Sequence, residues 1–356
     1  YLVAAVLLLV AGAYLTSGGE PPKTVQFKQV KMPRRADDED RARAVSRVGA
    51  QPAHPEPPPP PPGAPPPRPA DPMLAALPPD VKEVAVVVEA NALRNSDLGE
   101  ALIACFTAGA PEALGRVRDA GFDPLTQLDR VSMFDDTLML TGDFTGITGL
   151  GGGERYGEAQ LTTTSSRDGS ERTYGFWRGQ AALIGTREEV KQAIDRLEGR
   201  VAAGEQPVLK SSDAYGELYG VLKPAAFADA LGDTEPQLAE LIRSAAKSVD
   251  LHVDAMHDVG MVADVKGMDA QRVDELRRMM GGAIAAARAR AMAKGEKEAA
   301  DVLDLSRVLA PEKGGDSFKL ELGLPYEMVK AQLDKCAREA PKRREARRAA
   351  ASDGGG

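Results

Sequence analysis

The stretch whose residue types and spacing come nearest to chemistry is Asp250-Leu251-His252-Val253-Asp254. In a strand, the period of two puts the two carboxylates and the imidazole on one face, with Leu251 and Val253 on the other. His257 and Asp258 follow at the expected turn. One imidazole among carboxylates suits a hard or borderline metal, or general acid–base work. The same spacing is also what a half-buried antiparallel strand needs on its solvated side. No nucleophile motif accompanies the group, so the solvated-face reading is adopted. No catalytic residue, metal ligand or cofactor is assigned, and Asp250, His252, Asp254, His257 and Asp258 stand as a weak polar cluster.

Other motifs carry less. Gly149-Leu-Gly151-Gly152-Gly153 has the glycine content of a phosphate loop. It lacks the Lys-Ser or Lys-Thr and the following helix that would cradle phosphate, and reads as a loop between strands. Neither G-x-S-x-G nor H-E-x-x-H occurs. The two cysteines, Cys105 and Cys336, exclude a cysteine-based zinc site and allow one disulfide. Each ends a predicted helix, one in each half of the chain, so pairing in an oxidising compartment would tie the halves together. Pairing, buried free thiols and a reactive thiol all stay open at this level. The basic run Lys342-Arg343-Arg344 … Arg347-Arg348 reads as a solvated end or as an extension of the helix before it.

The elements that position these residues lie downstream of a proline run. Residues 51–72 hold 13 of the chain's 26 prolines. Each ring fixes φ and removes a backbone donor, which excludes helix and sheet. An extended polyproline rod of roughly 70 Å is the expectation. Before it, residues 1–15 are uncharged and apolar, which fits a single-pass anchor or a signal segment. Residues 16–50 are polar and aperiodic, so 16–72 as a whole reads as a disordered proline-rich linker. Lys23, Lys28, Lys31, Arg34 and Arg35 follow the apolar segment, as on a cytoplasmic flank. A proline-rich stalk after a single span instead favours export, and a periplasmic or extracellular domain is the expectation. A net charge of −8 argues against nucleic acid as a partner.

From residue 73 onward the chain has material for a core. Valine-rich 81–89 predicts a strand, and Asn95-Ser96-Asp97 caps a helix over 98–106. Pro111 opens a helix to 120. Residues 131–144 predict two strands turning at Asp135-Asp136. Strands are expected over 158–165 and 173–184, and a helix over 187–197. The order then returns, with a strand over 214–221 and helices over 224–231 and 236–248. A hairpin over 249–266, a long helix over 269–294, a strand over 317–323 and a helix over 326–339 complete it.

Two matches support an internal repeat. Met133, Met139, Leu140 and Asp143 parallel Met256, Met261, Val262 and Asp264, and Val190, Lys191, Ile194 and Asp195 parallel Val329, Lys330, Leu333 and Asp334. The fold expected is α+β, with antiparallel sheets covered by helices in two similar halves, 73–209 and 210–340, and a flexible basic tail over 341–356. With residues 1–15, the run from Pro52 to Pro72, and Gly121-Phe-Asp-Pro-Leu … Leu128-Asp-Arg-Val131, the organisation resembles membrane-anchored bacterial proteins of the myxobacterial type. That resemblance is organisational and brings no activity with it. The rod after one span is also similar to energy-transducing proteins of the TonB type, which implies a periplasm-spanning coupling role. The expected function is non-catalytic. A membrane-tethered domain acts on a protein or cell-envelope polymer, with a hydrophobic ligand in the cleft between the halves as the alternative.

Overall fold

The computed structural model describes residues 71–353 and 32–33, apart from 110–113, 116–117, 120, 148–152, 166–170, 202–205, 232–235, 296, 305 and 310–314. The apolar segment 1–15, most of the linker, most of the helix expected from Pro111 and most of the Gly149 loop lie outside the described residues. The chain runs through α1 (Pro72–Ala76), β1 (Val84–Val88), α2 (Ala90–Arg94), α3 (Asp97–Gly109), α4 (Pro124–Gln127), β2 (Leu128–Phe134) and β3 (Thr137–Gly142). Next come β4 (Glu154–Tyr156), β5 (Ala159–Ser165), β6 (Glu171–Trp177), β7 (Ala181–Gly185) and α5 (Arg187–Leu197). The second part holds β8 (Leu218–Leu222), α6 (Pro224–Leu231), α7 (Pro236–Ala245), β9 (Ala246–Asp254) and β10 (Val259–Gly267). It ends with α8 (Ala270–Ala293), α9 (Lys297–Asp304), β11 (Arg307–Leu309), β12 (Ser317–Leu324) and α10 (Tyr326–Asp353).

Among the described residues twelve strands form one antiparallel sheet in the order β11-β12-β10-β9-β8-β1-β2-β3-β7-β6-β5-β4. The fold is α+β as expected, but the sheet is single. Its centre is β1, Val-Ala-Val-Val-Val, whose β-branched side chains suit a strand buried on both faces. Val84 and Val86 pack on a first face with α3 and α10. Ala85 and Val87 pack on the second face with α1 and α5. The first face continues over β9, β10 and β12 beneath α6, α7 and α8, where Val249, Ala263, Val265 and Phe318 meet Ile242, Val273 and Leu276.

Local chemistry explains several boundaries. Asp71 accepts from the Met73 N–H and caps α1, with Pro72 at a first-turn position that needs no donor. Pro72, expected in the linker, therefore starts a helix. Asp135 takes φ 47° in the β2–β3 turn. Its carboxylate accepts from the N–H groups of Lys82, Glu83 and Val84 at 2.9–3.3 Å, fixing the entry to β1. Residues 173–184 are not one strand but the β6–β7 hairpin. Arg178 (φ 51°) and Gly179 (φ 65°) make the left-handed pair of a type I′ turn, closed by Gln180 N–H to Trp177 O at 3.0 Å.

Three further expectations shift. β8 starts at Leu218, not at 214. α7 stops at Ala245 and the chain passes directly into β9. The basic tail over 341–353 is helical: α10 continues through Pro341 to Asp353, carried by strongly helix-forming alanine, arginine, lysine and glutamate.

Counting outward from the β1–β8 pair gives β1-β2-β3-β7 one way and β8-β9-β10-β12 the other, each link antiparallel. The two hairpins thus hold matching places in strand order and direction. The closing helices do not match. Val190 and Ile194 of α5 are buried on the second face, Val329 and Leu333 of α10 on the first. The sequence match also slips by one residue in facing. Met139 lies on the second face and Met261 on the first, and in a strand a one-residue offset reverses every side chain.

Candidate functional site

β9 places Asp250, His252 and Asp254 on one face, as the alternation requires, and the register fixes that face as the second. Asp264 and Lys266 of β10, with Lys319 and Glu321 of β12, share it. The three β9 side chains are engaged separately. Asp250 pairs with Lys266 across the β9–β10 ladder. His252 is 4% exposed because the Tyr215 ring stacks on it at 3.6 Å, with its Nδ1 3.4 Å from Tyr215 O. Asp254 accepts from the Met256 N–H and shapes the hairpin turn.

His257 and Asp258 leave this face altogether. His257 Nδ1 lies 2.8 Å from Asp97 Oδ2 at the start of α3, and its ring stacks on Tyr326. Asp258 accepts from the Tyr326 N–H at 2.9 Å at the start of α10. The hairpin turn therefore grips two helices on the first face. The Asp97 hydrogen bond raises the His257 pKa above the ordinary histidine value, against the opposing effect of burial. Farther along the same two helices Cys105 and Cys336 are disulfide-bonded, with Cα atoms 5.4 Å apart. The five residues grouped in the sequence thus do not converge. Among the described residues no group of three or more His, Cys, Asp or Glu is placed to hold a metal ion.

A buried polar network not singled out in the sequence sits at the middle of the second face. The Tyr219 hydroxyl of β8, its residue 1% exposed, donates to Glu89 Oε1 at 2.9 Å. Arg130 of β2 lies 3.8 Å from the other Glu89 oxygen and donates to Asp71 Oδ2 at 2.6 Å. Asp71 in turn caps α1. Burial lifts the Glu89 carboxyl above its usual range, against the Tyr219 hydrogen bond and the Arg130 charge. Burial and the Glu89 carboxylate both push the Tyr219 phenol up, so it stays a neutral donor. Such a chain holds its protons in place. Its effect is to fasten the start of α1 to β1, β2 and β8, the three central strands. The signal that could have found one part of it is Asp71-Pro72, a helix cap followed by a first-turn proline, which the linker reading of 16–72 passed over. Tyr219, Glu89 and Arg130 are far apart in the chain and meet only through register.

No protein-family model matches the sequence, no curated protein matches it, and no solved structure matches the fold. Among the described residues no helix is long and apolar enough to cross a membrane.

Proposed function

We propose that this chain is a non-catalytic, membrane-tethered envelope protein, whose folded domain is held off the membrane by the proline-rich stalk and acts by binding a protein partner. The observation that carries the reading is the exposure of apolar side chains around α3. Leu102 and Phe106, one turn apart, are 37% and 51% exposed, and Met256 stands exposed beside His257, which grips the same helix. Large apolar groups clustered at a surface favour protein contact. The stalk supports the tether, because the capped helix α1 begins directly at its end. A ligand between the halves is the weaker reading, since the junction is the β1–β8 ladder, packed on both faces. We also take the two halves as copies of one unit on their mirrored strand order, with the closing helix redirected in the second copy.

The test has two arms. A reporter fused after Gly356 reads the side of the membrane, and activity in the cytoplasm defeats export. Detergent-extracted wild-type protein should sediment as a complex larger than the chain alone. The Leu102→Ser/Phe106→Ser variant should keep its melting temperature and lose that complex. A wild type that sediments alone, or a variant that keeps the complex, overturns the interaction reading.

A further inference from the structure

We propose that α10 beyond Pro341 is a docking helix for an anionic phospholipid surface, which it meets through Arg343, Arg344, Arg347 and Arg348. The inference rests on the membrane tether proposed above and adds a second contact with the same membrane. α3 and α10 lie side by side and run parallel. His257 bonds Asp97 at the start of α3 and stacks on Tyr326 at the start of α10, and Cys105 and Cys336 are bridged farther along both. Gly109, the last residue of α3, follows Cys105 by one turn and so lies level with Ala340. α10 continues to Asp353, which at 1.5 Å per residue carries it about 20 Å past the end of α3. Met328, Val329 and Leu333 are buried, whereas every side chain from Asp334 to Lys342 is at least partly exposed.

Helical spacing sorts the run beyond that point. Arg343 and Arg347 are one turn apart, as are Arg344 and Arg348, and the two pairs stand on neighbouring ridges. At about 100° per residue the four positions fall within an arc of roughly 140°. Residues 342–348 hold five basic residues and one acidic one, in a chain of net charge −8. The charge at this end of α10 is therefore local and opposite to that of the whole.

The residue types select phosphate and a surface. A guanidinium is a planar fork that matches phosphate oxygens and keeps its charge at any working pH. The other residues of the run are small, with Ala346, Ala349, Ala350 and Ala351 where an inserting helix carries Leu, Phe or Trp. Such a helix rests on headgroups by charge alone. Each basic residue near an anionic bilayer gains roughly fivefold in affinity, so four gain on the order of several hundredfold. Nucleic acid offers the same phosphates, but the negative charge of the whole chain opposes it. A tethered domain meets lipid at a high effective concentration instead.

The full chain, reconstituted into vesicles, carries the test. A dye on Ser352→Cys, with Cys105 and Cys336 already paired, reads energy transfer to an acceptor on lipid headgroups. Transfer should be strong in phosphatidylcholine mixed with phosphatidylglycerol and weak in phosphatidylcholine alone. Arg343→Gln/Arg344→Gln/Arg347→Gln/Arg348→Gln should bring the mixed vesicles down to the phosphatidylcholine level at an unchanged melting temperature. High salt should do the same to the wild type. Equal transfer in the two lipids overturns the proposal, as does a quadruple variant that keeps the difference. So does a chain that ignores mixed vesicles and retards duplex DNA through the same arginines. Flotation with phosphatidylcholine vesicles reads the tether separately. A chain that does not float with them defeats the tether, and its arginine-dependent binding to mixed vesicles then decides the helix by itself.

Discussion

At the scale of residues, the polar groups of this protein act as fasteners. Asp135 gathers three N–H groups from across the turn, Tyr219 and Glu89 join two central strands, and His257 joins the β9–β10 turn to α3. The last has a measurable pH signature. Asp97 raises the His257 pKa in the folded state, while in the unfolded chain it returns to about 6.5. The folded state therefore binds the proton more tightly. The stabilisation is fully present below about pH 6.5 and is lost as pH rises through the higher folded value. Asp258 and Glu327 also favour the charged ring. The difference in urea midpoint between wild type and His257→Gln should be largest in mildly acidic buffer, vanish in mildly alkaline buffer and shrink in high salt, since both partners are exposed. A difference independent of pH would mean that ring stacking on Tyr326, not charge, holds the turn.

At the scale of elements, α5 and α10 show how the same helix pattern serves different surroundings. Both put aliphatic residues at i and i+4. Val190 and Ile194 are fully buried on the second face, and Val329 and Leu333 almost so on the first. Ile194 lies over Gly175 beside Val190 and Leu161, in a site with no Cβ below it to close a gap. Ile194→Ala should cost roughly 3 to 5 kcal/mol and Leu333→Ala, nearer solvent, roughly 2 to 3, by urea denaturation. The charged side chains behave less uniformly. Lys330 bonds Asp334 one turn on, the expected i, i+4 pair worth a few tenths of a kcal/mol. Lys191 instead reaches Glu154 and the Tyr156 ring, while Asp195 is bonded by Tyr156 and Arg200. Equal costs for the two truncations would show that the two faces close around a cavity equally well.

At the scale of the whole molecule, α3 belongs to the first half and α10 to the second, and they pack together over the sheet's midline. Cys105 and Cys336 bridge them across 231 residues of sequence. A link that closes so long a loop removes much freedom from the unfolded chain, on the order of 2 to 5 kcal/mol. Reduction should lower the thermal midpoint in a single cooperative transition, because both halves share one sheet. Two separated transitions after reduction would mean that the halves fold independently.

The sequence by itself determined the kinds of element and most of their places. Period-two alternation, the valine run of β1, the Thr186…Glu189 capping box and the Asp269 cap are local signals, set by a residue and its neighbours within a turn or two. The α5 and α6 bounds fall where pattern and proline put them for that reason. The polar alternation of Asp250, His252 and Asp254 was equally local, and the register keeps the three on one face. The tertiary structure alone decided what is non-local. It merged the expected sheets into one through five residues of β1–β8 pairing, sent α10 to the face opposite α5, and drew His257 and Asp258 away from His252. It also assembled Asp71, Glu89, Arg130 and Tyr219 from four separate segments. None of these has a one-dimensional signal, because each depends on which strand edges and which apolar faces are still unpaired when the rest of the chain has packed.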